Sequence, residues 1–162
     1  MILQSSTRPL YTRDDPQQGD ASARADARAT IAALPDAFDW RTQPLASKCP
    51  SIGTVRDQAG CGSCWAFGTA EAMSDRLCIA SKGQVSVELS AQNIASCACA
   101  GGCKGGCGGG QLGQAWDYYL HTGVVDGGLY GDNTTCDPYT IPSCAHHTSD
   151  PKLKNCTVRH FC

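Results

Sequence analysis

Twelve cysteines in 162 residues constrain this chain more than any other feature of its sequence. In a secreted chain such a density indicates disulfide bonds, whereas in a cytosolic chain it indicates zinc or redox chemistry. Eighteen glycines accompany the cysteines, and aromatic residues make up 7% of the chain. The hydrophobic core is therefore expected to be thin, and covalent cross-links are expected to supplement it.

Charge and hydropathy argue against two classes of partner. Thirteen Lys+Arg against 15 Asp+Glu give a formal net charge of −2, without a basic run of the kind that attracts nucleic acid. No apolar stretch approaches the roughly 20 residues needed to span a bilayer. Nucleic acid and membrane are thus not expected partners. No secretory signal is visible, although N-x-Thr sequons at Asn133 and Asn155 point weakly to a secretory route.

The chain changes character near residue 34. Residues 1–33 are polar, with an Ala/Arg-rich stretch over 21–33 that could form a short helix, and we interpret the whole segment as a leader or linker. A folded domain is predicted over 34–162, beginning where the large aromatic side chains of Phe38 and Trp40 appear. The sequence thus predicts one domain preceded by a polar segment.

Three helices are predicted inside this domain. Apolar residues recur at three- and four-residue steps over 63–79, which is typical of an amphipathic helix. Ser90 can cap a short helix over 91–96, and a third apolar pattern starts at Leu112 and stops near Gly123. The remainder is predicted to be irregular loop, with a short strand near 124–125.

The segment from Gln58 to Trp65, Gln-Ala-Gly-Cys-Gly-Ser-Cys-Trp, carries the clearest chemistry. Cys64 follows a glycine turn and falls in the first turn of a predicted helix. Backbone N–H groups and the helix dipole there favour the thiolate, which is the nucleophilic form. The Gln58 amide can point to the same place as the Cys64 backbone N–H, and two such donors form an oxyanion hole for acyl transfer.

The cysteines also allow readings without catalysis. Cys61 and Cys64 form a C-x₂-C pair, a spacing that zinc knuckles and redox sites share. A second zinc reading uses a glycine-rich cluster of four cysteines: Cys97, Cys99, Cys103 and Cys107. Its spacings lack the paired C-x₂-C ligands typical of structural zinc. A third reading is a disulfide-rich peptide-binding module without catalytic function.

Gln-x-x-Cys-Gly-Ser-Cys-Trp resembles the active-site motif of papain-family cysteine peptidases. The segment CDPYTIPSCAHH, over 136–147, resembles the occluding loop of the cathepsin B-like members of that family. The resemblance implies an α+β papain-like fold, of which this chain supplies mainly the helical N-terminal domain with disulfide-rich loops. It also implies an occluding-loop-like segment at 136–156 and a β-rich second domain that is largely missing.

The function implied by the resemblance is that of a cysteine peptidase of the cathepsin B type. Such an enzyme combines endopeptidase and dipeptidyl-carboxypeptidase action on peptide and protein substrates, without a cofactor or metal. Its implied location is lysosomal or extracellular. Cys64 would be the nucleophile and Gln58 the oxyanion donor. The implied substrate-binding residues are Gly62, Trp65, Gly109, Gly110, His146 and His147.

His146 and His147 would receive the substrate's C-terminal carboxylate. Two adjacent imidazoles on a disulfide-tied loop supply N–H donors, and positive charge at acidic pH. The alternatives are a surface pair without a role and a pair of metal ligands. The disulfides implied by the resemblance are Cys49–Cys78, Cys61–Cys107, Cys99–Cys103 and Cys144–Cys156. Cys97, Cys136 and Cys162 are left over, of which Cys97 and Cys162 could pair.

A cysteine peptidase also needs a histidine base and a group that orients it. In this family the histidine follows the nucleophile by roughly 130 to 150 residues, a spacing that runs past residue 162 from Cys64. His121 and His160 are not expected to replace it. Without Cys64, eleven cysteines remain, an odd number that leaves one without a mate. We therefore expect a truncated chain that is inactive alone and lacks its C-terminal domain.

Overall fold

The computed structural model describes residues 31, 34–98, 106–145 and 151–156. Several sequence predictions fall wholly or largely outside these ranges: the helix at 21–33, the Cys99–Cys103 pair, His146, His147, His160 and Cys162. The predicted boundary between leader and domain near residue 34 also stays a prediction.

Three α-helices form where the sequence predicts them. They are α1 (Cys64–Ala80), α2 (Ala91–Cys97) and α3 (Leu112–His121). The predicted cap of α2 is confirmed, because the Ser90 hydroxyl accepts a hydrogen bond of 2.8 Å from the Asn93 N–H. Just beyond α3, Gly123 adopts a φ of 90°, a left-handed conformation that suits glycine and stops the helix.

Short 3₁₀ helices were missed by the sequence analysis. Three of them precede α1, at Trp40–Thr42, Pro44–Lys48 and Pro50–Gly53, and a fourth lies at Gly106–Gly108. Two begin with a proline in the first turn, where its fixed φ is suitable and its missing N–H costs nothing. Segments this short carry no apolar repeat, so periodicity could not reveal them.

The hydrophobic core lies where α1 packs against both α2 and α3. Met73 of α1 and Ile94 of α2 are at most 1% exposed, and burial of each such side chain contributes about 2 kcal/mol. Ala66, Ala70 and Ala115 are completely buried. These small side chains keep the core compact around α1, the helix that begins with Cys64.

The predicted strand at 124–125 is wrong. Among the described residues the backbone pairs there through one antiparallel bridge, between Leu89 and Asp126. Hydrogen bonds of 2.9 Å flank the bridge, from Ser90 N to Val125 O and from Gly127 N to Glu88 O. The pairing goes no further on one side because Ser90 already caps α2.

A buried arginine holds this bridge. The Arg56 side chain is 3% exposed, and its guanidinium donates to Leu89 O at 2.9 and 3.0 Å and to Gly127 O at 2.9 Å. The Arg56 Nη2 atom lies 3.6 Å from the Glu88 carboxylate, and the guanidinium carbon Cζ lies 5.8 Å from the centre of the Phe67 ring. Arg56 therefore joins the bridge to α1, two residues before Gln58.

Three disulfides hold the described loops, and they are pairs implied by the family resemblance: Cys49–Cys78, Cys61–Cys107 and Cys144–Cys156. In the chain-entropy model, closing a separation of 46 residues, as the second does, stabilises by about 4 kcal/mol. Cys64, Cys97 and Cys136 carry free thiols. The suggested pairing of Cys97 with Cys162 is therefore wrong; Cys97 is exposed, at the end of α2.

Glu71 lies on α1 beside the buried Arg56. Burial raises the pKa of the Glu71 carboxyl above its usual value of 4.5; the charge of Arg56 opposes this rise, and Asp75 and Glu88 add to it. The folded chain therefore holds this proton more tightly than the unfolded chain does. The resulting stabilisation is complete below the usual pKa and is lost as the pH rises through the folded-state value.

Glu71→Gln is expected to remove the loss of stability that the Glu71 carboxyl causes as the pH rises, because glutamine does not titrate. The gain in unfolding free energy over the wild type should grow from roughly pH 4 to roughly pH 7, measured by urea unfolding. Asp36→Asn, at an exposed position, serves as the control. A Glu71→Gln difference that stays constant over this range would contradict the account.

Candidate active site

Cys64 is the first residue of α1, and its thiol is exposed and free. Cys61, three residues earlier, is 4% exposed and bonded to Cys107. The two cysteines of the C-x₂-C pair therefore have different roles: Cys61 fixes the chain, and Cys64 presents a thiol at the start of a helix. This division excludes a disulfide or a shared zinc ion between the two.

The loop that leads into α1 is tightly turned. Ala59 has a φ of 53° and is 1% exposed, and its N–H donates to the Asp57 carboxylate at 2.7 Å. The Cys61 N–H bonds back to Ala59 O at 2.9 Å. The Gln58 amide donates to Cys61 O at 2.7 Å. Since an amide NH₂ has two hydrogens, one of them is left for another acceptor.

Tyr139 joins this loop to the start of α1. Its hydroxyl donates to the Gln58 carbonyl at 2.7 Å and lies 2.9 Å from the Ser63 hydroxyl. Burial raises the pKa of Tyr139, and Asp57 adds to the rise, while the hydrogen bond with Ser63 opposes it. The phenol therefore keeps its proton at neutral and acidic pH and remains a donor.

Ser63 precedes α1 without capping it through its side chain. Its φ of −100° and ψ of 16° lie outside the extended region usual for a capping serine. The hydroxyl, completely buried, is turned toward Tyr139. The Ala66 N–H donates to the Ser63 carbonyl at 2.9 Å, whereas the Ser63 side chain caps none of the first-turn N–H groups beside Cys64.

A glycine-rich segment lies against the same end of α1. The Gly62 N–H donates to Cys107 O at 3.1 Å, and the Trp65 indole donates to Gly106 O at 3.2 Å. A side chain at Gly110 would collide with the Trp65 ring, whereas the space around Gly109, with a φ of 96°, is open. Gly62, Trp65, Gly109 and Gly110 are therefore brought together near Cys64, as the resemblance implies.

A cavity of about 350 Å³ lies beside the loop before α1. Its walls are Gly60 and two short segments, 141–144 and 152–155, which the Cys144–Cys156 disulfide links. The lining residues are Gly60, Ile141, Pro142, Ser143, Cys144, Lys152, Leu153, Lys154 and Asn155. Ala145 pairs with Asn155 across the two runs. The base of the occluding-loop-like segment thus shares this cavity with Gly60, in the loop before α1.

His121 is the histidine that the described residues contain, and it does not resemble a catalytic base. It ends α3 with an exposed ring, and its Nδ1 lies 2.8 Å from the Asp117 carbonyl of the same helix. His121 therefore lies on the surface of α3, paired with its own helix. His146 and His147 lie outside the described residues, so their predicted role in binding a carboxylate stays a prediction.

The zinc site considered for Cys97, Cys99, Cys103 and Cys107 would lack at least one of its four ligands. Cys107 is bonded to Cys61, and Cys97 is an exposed free thiol at the end of α2. Within the parts of the chain that the structure describes, no three His, Cys, Asp or Glu side chains form a group that could hold a metal ion. The described cysteines therefore support the disulfide reading of this segment.

Two residues near the site were missed by the sequence analysis as contributors. Tyr139 lies in the segment over 136–147 that was quoted for the resemblance, and Arg56 lies two residues before Gln58. Neither was assigned a role. The signal for Arg56 is a charged side chain just before the motif in a chain with few charges. The signal for Tyr139 is an aromatic hydroxyl inside a loop that begins and ends with a cysteine.

Comparison with known proteins finds a matching family and several relatives. The papain family cysteine protease model matches residues 34–161. Cathepsin B-like cysteine proteinase 6 of Caenorhabditis elegans is 46% identical over 129 residues, covering 76% of this chain and 31% of that protein. A cathepsin B-like cysteine proteinase of Schistosoma japonicum is 45% identical over 141 residues, covering 80% of this chain and 38% of that protein.

Among solved structures, procathepsin B S9 of Trypanosoma congolense matches with a TM-score of 0.55 and 29% identity. The match covers 94% of this chain and 44% of that one. The chain thus spans 31% to 44% of the length of these relatives. No helix among the described residues is long and apolar enough to cross a membrane. The matched family model, the relatives and the papain-like fold together place the chain in the papain family of cysteine proteases.

Proposed function

We propose that this chain carries the nucleophile and the oxyanion donors of a cathepsin B-type cysteine peptidase. The observation that carries the proposal is the free, exposed thiol of Cys64 at the first residue of α1, three residues after a cysteine held in a disulfide. The Ser63 side chain leaves the N–H groups of the first turn uncapped by any hydroxyl at that end of the helix. Gln58 has an amide hydrogen left to donate beside it.

In the proposed reaction the Cys64 thiolate adds to the carbonyl carbon of a peptide bond. The new S–C bond pushes the carbonyl electron pair onto oxygen, which the Cys64 N–H and the Gln58 amide stabilise. Collapse of this intermediate breaks the C–N bond, and a histidine base returns its proton to the leaving amine. Water then hydrolyses the thioester, which gives a carboxylate and regenerates the thiol.

Gly62, Trp65, Gly109 and Gly110 are proposed to bind the substrate backbone. The close contact of Gly110 with the Trp65 ring and the open space at Gly109 support a flat edge along which an extended peptide can lie. Backbone N–H and C=O groups on such an edge pair with the peptide main chain independently of its side chains. Peptides and proteins are therefore the proposed substrates.

Dipeptidyl-carboxypeptidase action is proposed to depend on His146 and His147. The disulfide Cys144–Cys156 and the pairing of Ala145 with Asn155 fasten the base of the segment that carries them. A loop held in this way beside the cavity can block one end of the cleft and present imidazole donors to a terminal carboxylate. The three disulfides support a lysosomal or extracellular location, where oxidising conditions preserve them.

The histidine base is proposed to lie outside these 162 residues, in the β-rich second domain of the parent enzyme. His121 is paired with its own helix, and the resemblance gives the adjacent pair of histidines to carboxylate binding. The chain alone would then hold a nucleophile without a base. A non-catalytic peptide-binding module is the alternative, and turnover measurements separate the two.

The 162 residues alone are expected to give no measurable turnover of a dipeptidyl-arginyl fluorogenic substrate, because no histidine is in place to donate a proton to the leaving amine. The same assay on a chain extended by the second domain should give turnover. Hydrolysis by the 162 residues at the rate of the extended chain would contradict the proposed division of the site.

In the extended chain, Cys64→Ser is expected to lower kcat by at least about a thousandfold, since a serine hydroxyl is a far weaker nucleophile than a thiolate. Cys136→Ser is the matched control, because Cys136 is also exposed and free. Initial rates with the same fluorogenic peptide decide the matter. Equal losses in the two variants, or none in Cys64→Ser, would rule out the assignment of the nucleophile.

His146→Ala in the extended chain is expected to weaken removal of C-terminal dipeptides about tenfold, the effect of losing one hydrogen bond to a charged group. Cleavage of an internal bond in a peptide with an amidated C-terminus should change by less than about twofold. His121→Ala, on the surface of α3, is the control. Loss of internal cleavage with dipeptide removal spared would refute the role.

A further inference from the structure

The Tyr139 hydroxyl makes two hydrogen bonds whose directions can be assigned. A carbonyl oxygen can only accept, so the phenol proton points to Gln58 O, 2.7 Å away. Tyr139 has no second proton, so at 2.9 Å the Ser63 hydroxyl must donate to the phenol oxygen. The protons thus run in one direction, from Ser63 through Tyr139 to Gln58.

This network fixes both ends of the loop before α1. The hydrogen bond from Tyr139 fixes the Gln58 carbonyl, and the backbone to which the Gln58 side chain is attached is therefore fixed as well. Ser63, directly before Cys64, is held by its hydroxyl and is kept from capping the helix. A buried hydroxyl that lost its partner would destabilise the folded chain, which makes the arrangement hard to disturb.

Tyr139 is itself held firmly. It is 3% exposed, and its ring meets that of Phe67 edge to face with centroids 4.8 Å apart. Its backbone N–H donates to Gly128 O at 3.0 Å. The carbonyl of the nearby Asp137 accepts from Ser90 Oγ at 2.6 Å. The position of the hydroxyl is therefore set by contacts with α1 and with the start of α2.

We propose that Tyr139 is a positioning residue for the oxyanion hole, through which the segment over 136–144, tied by Cys144 to Cys156, holds Gln58 and Cys64 in register. The inference rests on the proposed function, because it gives Gln58 and Cys64 the roles assigned there. Tyr139 touches no reacting atom. It acts by fixing the Gln58 carbonyl and by keeping the Ser63 hydroxyl away from the first turn of α1.

Two reagents for the Cys64 thiol separate positioning of the oxyanion hole from general reactivity. A peptide aldehyde forms a hemithioacetal: the Sγ–C bond forms, the carbonyl pair moves to oxygen, and that oxygen takes a proton from water. With iodoacetamide the thiolate instead forms an Sγ–C bond to the CH₂ carbon, the C–I bond breaks, and iodide leaves into solvent, so no oxyanion is created. Peptide mapping of the 162-residue chain gives the alkylation rate at Cys64, and protection by the aldehyde gives its Kd.

Tyr139→Phe, which keeps the ring and removes the hydroxyl, is expected to raise the aldehyde Kd about tenfold. The alkylation rate at Cys64 should change by less than about twofold, since that reaction needs no oxyanion donor. In a Gln58→Ala background, Tyr139→Phe should weaken the adduct by less than about twofold, because both changes then remove the same interaction. Tyr130→Phe, at an exposed tyrosine, is the matched control.

Each outcome decides between the two proposals. If Gln58→Ala raises the Kd and Tyr139→Phe does not, the positioning role is overturned and the proposed function survives. If Gln58→Ala has no effect, or the wild type forms no adduct, the oxyanion role fails and takes the positioning role with it. Additive effects of the two variants, or equal losses with both reagents, would mean that Tyr139 acts only through general stability.

Hydrogen exchange provides a measurement without any ligand. Backbone amides over 58–64 should exchange about tenfold faster in Tyr139→Phe, while those of α3 should change little. Ser63→Ala removes the other hydroxyl and keeps the tyrosine in place, so it should affect the same amides in the same direction. Unchanged exchange over 58–64 in both variants would overturn the inference.

Discussion

The bond between Cys61 and Cys107 is the constraint on which the rest of the site depends. It holds a glycine-rich segment, which costs much backbone entropy to order, against the first turn of α1. The Gly62 N–H bond to Cys107 O and the Trp65 bond to Gly106 O then form beside it. One covalent link thus brings the start of a helix, a free thiol and an open glycine edge together.

Polar groups buried around this link give the loop its shape. Arg56 ties the bridge between Leu89 and Asp126 to α1 with three hydrogen bonds to backbone oxygens. Tyr139, in the segment over 136–144, connects Gln58 to Ser63 through two hydrogen bonds of its hydroxyl. Each of these hydrogen bonds favours one arrangement of the loop, because breaking it would leave a buried donor or acceptor without a partner. A thin hydrophobic core is therefore compatible with a well-defined site.

Local signals revealed much of the fold. The apolar repeat of α1 and the Ser90 cap of α2 depend on neighbouring residues, and both formed as predicted. Longer-range contacts were beyond such reasoning: the bridge replaced a predicted strand, and the Tyr139 hydroxyl meets Gln58 across 81 positions of sequence. The disulfide pairs came from resemblance, since spacing leaves many connectivities open. Motif and resemblance singled out Cys64, whereas its supporting contacts required the structure.

The most direct test of the central claim is where a peptidyl fluoromethyl ketone, supplied in limiting amount, attaches to the chain. Within the described part of the chain, three exposed free thiols compete for it, at Cys64, Cys97 and Cys136. Mass spectrometry of the digested adduct gives the share of label on each. The account predicts that most of the label lies on Cys64, because only that thiol starts α1 beside the proposed peptide-binding edge. An even distribution, or a preference for Cys97 or Cys136, would contradict it.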